Sequence, residues 1–167
     1  TCTGYLAERQ AGVLLGERAE GHPARVLNQL RHLGKVRLAG DRLDGDGIAV
    51  LPRLADKSVD SDMLAAVDVM LDISNGAPAA IASDRPPYKL CFLAERGDRL
   101  SSYGVVAAAP CEELRVNFLL DSDKTERTVI FITRDAAQTE RFTTALPHYF
   151  AVRDGGRFRY FRGKTKI

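Results

Sequence analysis

The protein has 167 residues, of which 45% are hydrophobic and 28% charged, and its net charge is +2. This length fits one ordinary domain or two small ones, and the apolar content excludes a disordered chain because it suffices for a packed core. No apolar run approaches the roughly 20 residues of a bilayer span, which excludes an integral membrane protein.

The three cysteines, Cys2, Cys91 and Cys111, are an odd number at wide spacings, with no CxxC and no Cys/His pair at zinc-ligand spacing. This pattern predicts inert thiols in a reducing cytoplasm and no metal site. The chain starts at Thr1 without a Met and shows no signal peptide, so we expect it to begin inside a longer chain.

Two helices are predicted first. Leu6, Val13 and Leu14 recur at helical spacing, and a turn follows between Gly16 and Gly21. Pro23 is tolerated in a first helical turn, so a second helix is predicted from there to Leu33, with Gly34 as its stop. Its apolar stripe consists of Val26, Leu27, Leu30 and Leu33.

A hairpin is predicted next, with strands at 35–38 and 48–51 around two Asp-Gly pairs. The polar segment that follows predicts a domain boundary, which gives a first domain of residues 1–56 and a second of residues 57–167. The second domain is predicted as a mixed α/β layer, so the fold class is α+β. Its elements are helices at 62–73, 110–120 and 135–146, strands at 79–82, 88–94, 102–109 and 128–133, and a hairpin over 149–161.

The order helix, turn, helix, hairpin is typical of a winged helix-turn-helix, whose first helix would then lie upstream of Thr1. An α-helix fits the major groove of DNA, where Arg can contact guanine or phosphate and Asn or Gln can pair with adenine. The exposed face of the second helix and the hairpin therefore predict an interface with double-stranded DNA. Its candidate residues are Arg25, Asn28, Gln29, Arg31, His32, Arg37 and Arg42.

Two other interpretations of this face stay open. It could be an ordinary solvated helix face, or a protein-interaction module that docks a replication or transfer partner. Salt dependence separates DNA binding from apolar docking, because phosphate contacts release counterions. The sequence leaves the oligomeric state open.

The segments Gly4–Ala11 and Val26–Gly34 resemble the winged-helix opening of bacterial replication-relaxation proteins. Asp62–Val69 and Pro87–Leu93 resemble a related uncharacterised family of conjugative and integrative elements. This resemblance implies a DNA-associated accessory protein of plasmid or mobile-element replication, transfer or regulation. It carries over no catalytic residue.

The predicted order of the second domain is also that of PD-(D/E)xK nucleases, to which replication-relaxation proteins look related. Such nucleases need two carboxylates for a metal and a Lys two residues after one of them. No Asp or Glu is followed at +2 by Lys, and the strand at 102–109 carries no acid. The sequence therefore predicts a degenerate nuclease-like domain with no catalytic residue, no metal and no cofactor, in which Asp121, Asp123 and Glu126 form a charged turn.

The last segment, Arg157–Lys166, interleaves aromatic residues with cations. It fits an edge strand whose Arg and Lys block pairing with another chain. It also fits a strand that stacks bases and contacts phosphates.

Overall fold

The computed structural model describes residues 4–16, 23–43, 46–51, 58–82, 86–134 and 136–164. Within these ranges it contains five helices and two sheets, which confirms the α+β class. The chain divides into two units, Thr1–Ala77 and Pro78–Ile167.

A small antiparallel sheet and three helices form the first unit. Its sheet has the order β1-β3-β2, so the hairpin strand β3 lies in the middle. The strand β1 was not predicted, because three residues are too few to show an alternating pattern. The elements are β1 (Tyr5–Ala7), α1 (Glu8–Leu15), α2 (Pro23–His32), β2 (Arg37–Leu43), β3 (Asp46–Val50) and α3 (Ser61–Ile73).

The helix α3 belongs to this first unit. Asp60 caps it by accepting a hydrogen bond from the Met63 N–H at 2.9 Å. Met63 and Leu64 then pack on Tyr5 and Ile48 of the sheet. The boundary predicted after residue 56 assigned this helix to the second domain, whereas in the structure the division comes after Ala77, because the apolar face of α3 completes the core over β1 and β3.

The buried side chain of Gln10 joins three of these elements. Its Oε1 accepts from the Ala7 N–H at 3.0 Å, and its Nε2 donates to the Leu64 carbonyl and to Asp68 Oδ1, both at 2.8 Å. Arg9 donates to both oxygens of the same carboxylate, at 2.5 and 2.8 Å. The two buried bonds of Gln10, to the Ala7 N–H and the Leu64 carbonyl, therefore fix the start of α1 to β1 and α3.

The second unit is built on a six-stranded sheet of order β4-β5-β6-β7-β8-β9. The first three strands form an antiparallel meander, β6, β7 and β8 are parallel, and β9 returns antiparallel at the edge. No helix in the described part of the chain is long and apolar enough to cross a membrane. The elements are β4 (Ala80–Ala82), β5 (Leu90–Arg96), β6 (Arg99–Ala107), α4 (Glu113–Asp121), β7 (Thr128–Thr133), α5 (Ala136–Thr139), β8 (His148–Asp154) and β9 (Arg157–Arg162).

One face of this sheet is covered by α4 and by the segment before β8. Phe131 stacks on Phe142 with ring centroids 4.2 Å apart. The helix predicted through residue 146 is shorter, since α5 ends at Thr139. Beyond it, the side-chain amide of Asn117 donates to the Arg141 carbonyl and accepts from the Thr143 N–H, at 3.0 Å each, and these bonds hold an irregular segment.

Replacing Gln10 with Ala tests the junction in the first unit. The change removes the acceptor of the Ala7 N–H and the donor to the Leu64 carbonyl and Asp68 Oδ1, so we expect a loss of about 2–3 kcal/mol in the free energy of unfolding, measured by urea denaturation. Gln29→Ala, at an exposed position of α2, is the matched control and should cost less than about 0.5 kcal/mol. Equal effects of the two changes would contradict a structural role for the buried amide.

Candidate nucleic-acid interface

The C-terminus of α2 is fixed by a glycine cap. Gly34 has φ +67°, its N–H donates to the Arg31 carbonyl, and the Lys35 N–H donates to the Leu30 carbonyl, both at 2.9 Å. This pair of bonds is the Schellman motif, in which glycine takes the left-handed conformation that other residues avoid. The predicted stop at Gly34 is therefore confirmed.

The inner side of α2 packs through Leu27. This side chain is buried in a cluster with Ala11 of α1 and Ala49 of β3. Val26 and Leu30 are half-buried, whereas Leu33 is 70% exposed. The predicted apolar stripe is thus wrong at Leu33, because the helix ends at His32 and the chain turns away before that side chain can reach the core.

The outer side of α2 carries polar and basic residues. Every one of the five predicted contact residues on this helix is exposed: Arg25, Asn28, Gln29, Arg31 and His32. Exposure alone does not distinguish an interface from a solvated face.

The positive charges on this helix have no acidic counterpart on the helix itself. The segment from Pro23 to His32 contains no acid. Among the described residues, Arg25 and Arg31 have no ion-pair partner, in contrast to Arg9, which is paired with Asp68. The positive field of α2 is therefore not cancelled by a neighbouring carboxylate in the described part of the chain.

The hairpin adds basic residues beside α2. Arg37 is exposed at the start of β2. Arg42 pairs with Gly47 through the backbone, and its side chain lies outside the described part of the structure. Lys35 is also exposed, next to the helix cap. The sequence predicted it only as a strand residue, although its position directly after Gly34 already placed it at the end of the helix.

The second unit contains a different polar cluster, centred on Tyr88. The Tyr88 hydroxyl donates to Asp123 Oδ2 at 2.6 Å, and the Arg127 guanidinium lies 4.7 Å from the centre of the Tyr88 ring. Gly104 makes room for the ring, since a Cβ there would come within 2.4 Å of it. Asp123 also accepts hydrogen bonds from Thr125.

This environment shifts two pKa values. Burial and the neighbouring Asp123 raise the pKa of the Tyr88 hydroxyl, which therefore stays protonated. Burial also opposes ionisation of Asp123, but hydrogen bonds from Thr125 and Tyr88 and the charge of Arg127 outweigh it. They hold the pKa of that carboxyl below its ordinary value.

The carboxylate of Asp123 is thus held within the fold by Tyr88, Thr125 and Arg127. The described residues contain no group of three or more His, Cys, Asp or Glu side chains that could hold a metal ion. We find no arrangement in this cluster that points to catalysis, and α2 with the hairpin stays the candidate interface.

Tyr88→Phe tests the cluster through its pH dependence. Removing the hydroxyl should cost about 1–2 kcal/mol at neutral pH, because Asp123 loses a charge-assisted hydrogen bond. The folded pKa of Asp123 is lowered, so this stabilisation is present above the unfolded pKa of about 3.9 and is lost as the pH falls through the folded pKa. The difference between wild type and variant, measured by urea denaturation, should therefore shrink as the pH falls below about 3.9.

Tyr103→Phe is the control for that change. Tyr103 is buried and its ring stacks on Phe92, a contact that phenylalanine retains. A cost for Tyr88→Phe that does not change between neutral and acidic pH would exclude the charged hydrogen bond as its source.

Comparison with protein-family models, with curated proteins and with solved structures gave no match to this chain. The function therefore has to be inferred from the chain's own residues.

Proposed function

We propose that the protein binds double-stranded DNA through the outer face of α2, as a non-catalytic accessory protein in the replication, transfer or regulation of a plasmid or mobile element. One observation carries this proposal. The helix exposes Arg25, Asn28, Gln29 and Arg31 together, with no acid on the helix and no ion pair to either arginine among the described residues.

These residue types suit both the contacts to phosphates and the contacts to base edges that DNA recognition needs. Arg25 and Arg31 can contact phosphates or guanine, and Asn28 and Gln29 can each pair with an adenine edge in the major groove. Lys35, Arg37 and Arg42 follow the helix in the chain and would contact backbone phosphates. Neutralising several phosphates releases counterions, which supplies most of the affinity at low salt.

The order of elements supports the same proposal. A short strand, two helices and a hairpin, with sheet order β1-β3-β2, are typical of a winged helix-turn-helix. The meander β4-β5-β6 followed by α4 and the parallel strand β7 has the order of a nuclease-like core. Since the sequence lacks the acid and Lys spacing of that family, we propose that this unit is degenerate and does not cleave DNA.

A protein-interaction module is the second candidate, and one observation favours it. Leu114 and Phe118 lie one turn apart on α4 and are 83% and 72% exposed. Large exposed apolar side chains that lie together are more typical of a protein contact than of a DNA contact. In this alternative the second unit docks a replication or transfer protein.

Arg25→Ala with Arg31→Ala tests the DNA proposal. We expect the double variant to weaken duplex binding about tenfold or more at low salt. The slope of log affinity against log salt should fall by up to about 1.8, which corresponds to about 0.9 per lost phosphate contact. Fluorescence anisotropy with a labelled duplex at several salt concentrations measures both quantities, and the free energy of unfolding should stay within about 0.5 kcal/mol of wild type.

Arg96→Ala with Arg99→Ala is the matched control. This pair removes the same charge from an exposed hairpin end in the second unit. If the control variant lost as much affinity as the α2 variant, the binding would be a non-specific charge effect. Duplex binding that is unchanged by the α2 variant would contradict the proposal.

A further inference from the structure

The hairpin of β8 and β9 has two chemically different faces. The tight turn at Gly155 and Gly156, both with positive φ, sets the pairing of Asp154 with Arg157. The same register places Tyr149 opposite Arg162, and Ala151 opposite Tyr160. Because side chains alternate along strands, one face, here called the aromatic–arginine face, carries Tyr149, Arg153, Phe158, Tyr160 and Arg162.

The aromatic side chains of this face are accessible. Tyr149 and Tyr160 are each 37% exposed, and Phe158 is half-buried. The rings of Phe158 and Tyr160 lie side by side, with centroids 6.5 Å apart. Arg153 and Arg162 are exposed beside them. Aromatic side chains that reach the surface next to arginines form a platform on which another planar group can stack.

The charged residues that β8 and β9 themselves place on this face, Arg153 and Arg162, are both cationic. The only acid in the two strands, Asp154, lies on the opposite face, where its carboxylate pairs with Arg159 at 2.6 Å. The cations of the opposite face are thus partly neutralised, while β8 and β9 place no acid on the aromatic–arginine face. A polyanion with planar groups complements such a surface.

We propose that the aromatic–arginine face binds single-stranded nucleic acid, with bases stacked on Tyr149 and Tyr160 and phosphates contacted by Arg153 and Arg162. Stacking is available only where bases are unpaired, which selects single strands over a duplex. Protection of the sheet edge explains cations along β9. It gives no reason for two tyrosines to be exposed on one face of the hairpin. This binding site lies in the second unit and does not depend on the duplex proposal for α2.

The test is binding of a fluorescein-labelled thymidine oligonucleotide of about 15 residues, followed by fluorescence anisotropy. Tyr149→Leu with Tyr160→Leu keeps apolar side chains but removes the rings, and we expect at least a tenfold loss of affinity, since stacking contributes about 1–3 kcal/mol per base. Tyr149→Phe with Tyr160→Phe keeps the rings and should retain affinity within about twofold. Circular dichroism and a urea titration establish that each variant is folded.

Double variants on the two faces of the hairpin distinguish binding at the aromatic–arginine face from non-specific attraction of the nucleic acid to positive charge. Arg153→Ala with Arg162→Ala should lower the salt slope by about 1.4, which corresponds to about 0.7 per phosphate contact on a single strand. Arg157→Ala with Arg159→Ala removes the same formal charge from the opposite face and should leave the slope nearly unchanged. An equal fall in both variants would overturn the proposal.

Two further measurements complete the test. An abasic strand of the same length should bind at least tenfold more weakly than the thymidine strand, because it offers phosphates without bases. The Arg25→Ala, Arg31→Ala variant should bind the single strand as wild type does, so failure of the duplex proposal leaves this one standing. No binding of the single strand by wild type, or equal affinity for the abasic strand, would overturn it.

Discussion

The buried amide of Gln10 is the contact on which the first unit depends. It ties the backbone of Ala7 in β1 to Leu64 and Asp68 of α3, from a position on α1. A hydrogen-bonded side chain in this setting permits few alternative arrangements, because each unsatisfied partner would be costly. The helix α1 is thereby held in one orientation, and Ala11 on it forms the site into which Leu27 of α2 packs. The outward direction of Arg25 and Arg31 follows from that chain of contacts.

Four arginine side chains of the described residues fall into two groups by their surroundings. Arg9 binds the carboxylate of Asp68, and Arg127 lies over the Tyr88 ring near Asp123. Those pairs contribute to packing within a unit. Arg25 and Arg31 have no such partner among the described residues and lie on a helix without acids. The first group stabilises the fold, and the second leaves positive charge available to an external anion.

Local patterns predicted local structure well, and packing partners poorly. Gly34 predicted the end of α2 because glycine, which has no Cβ, adopts the positive φ of a helix cap without steric cost. Helical periodicity predicted α3 but not the unit in which it packs. The side-chain amide of Asn117, distant in sequence, binds the irregular segment that follows α5, where the periodicity predicted a continued helix. At the candidate interface, periodicity predicted the exposed residues of α2, whereas the absence of ion pairs to Arg25 and Arg31 among the described residues needed the structure. The alternation of side chains along a strand puts Phe158 and Tyr160 on one face, but the register of β8 and β9 was needed to add Tyr149.

The most direct measurement of the central claim is a nuclear magnetic resonance titration of the labelled protein with a short duplex at moderate salt. If α2 is inserted into the major groove, backbone amide signals of residues 25–32, together with Lys35 and Arg37, should shift most and saturate together. Signals of the buried strand β3 should move little. Shifts confined to residues outside α2 and the hairpin, or no saturable shift at all, would contradict the claim.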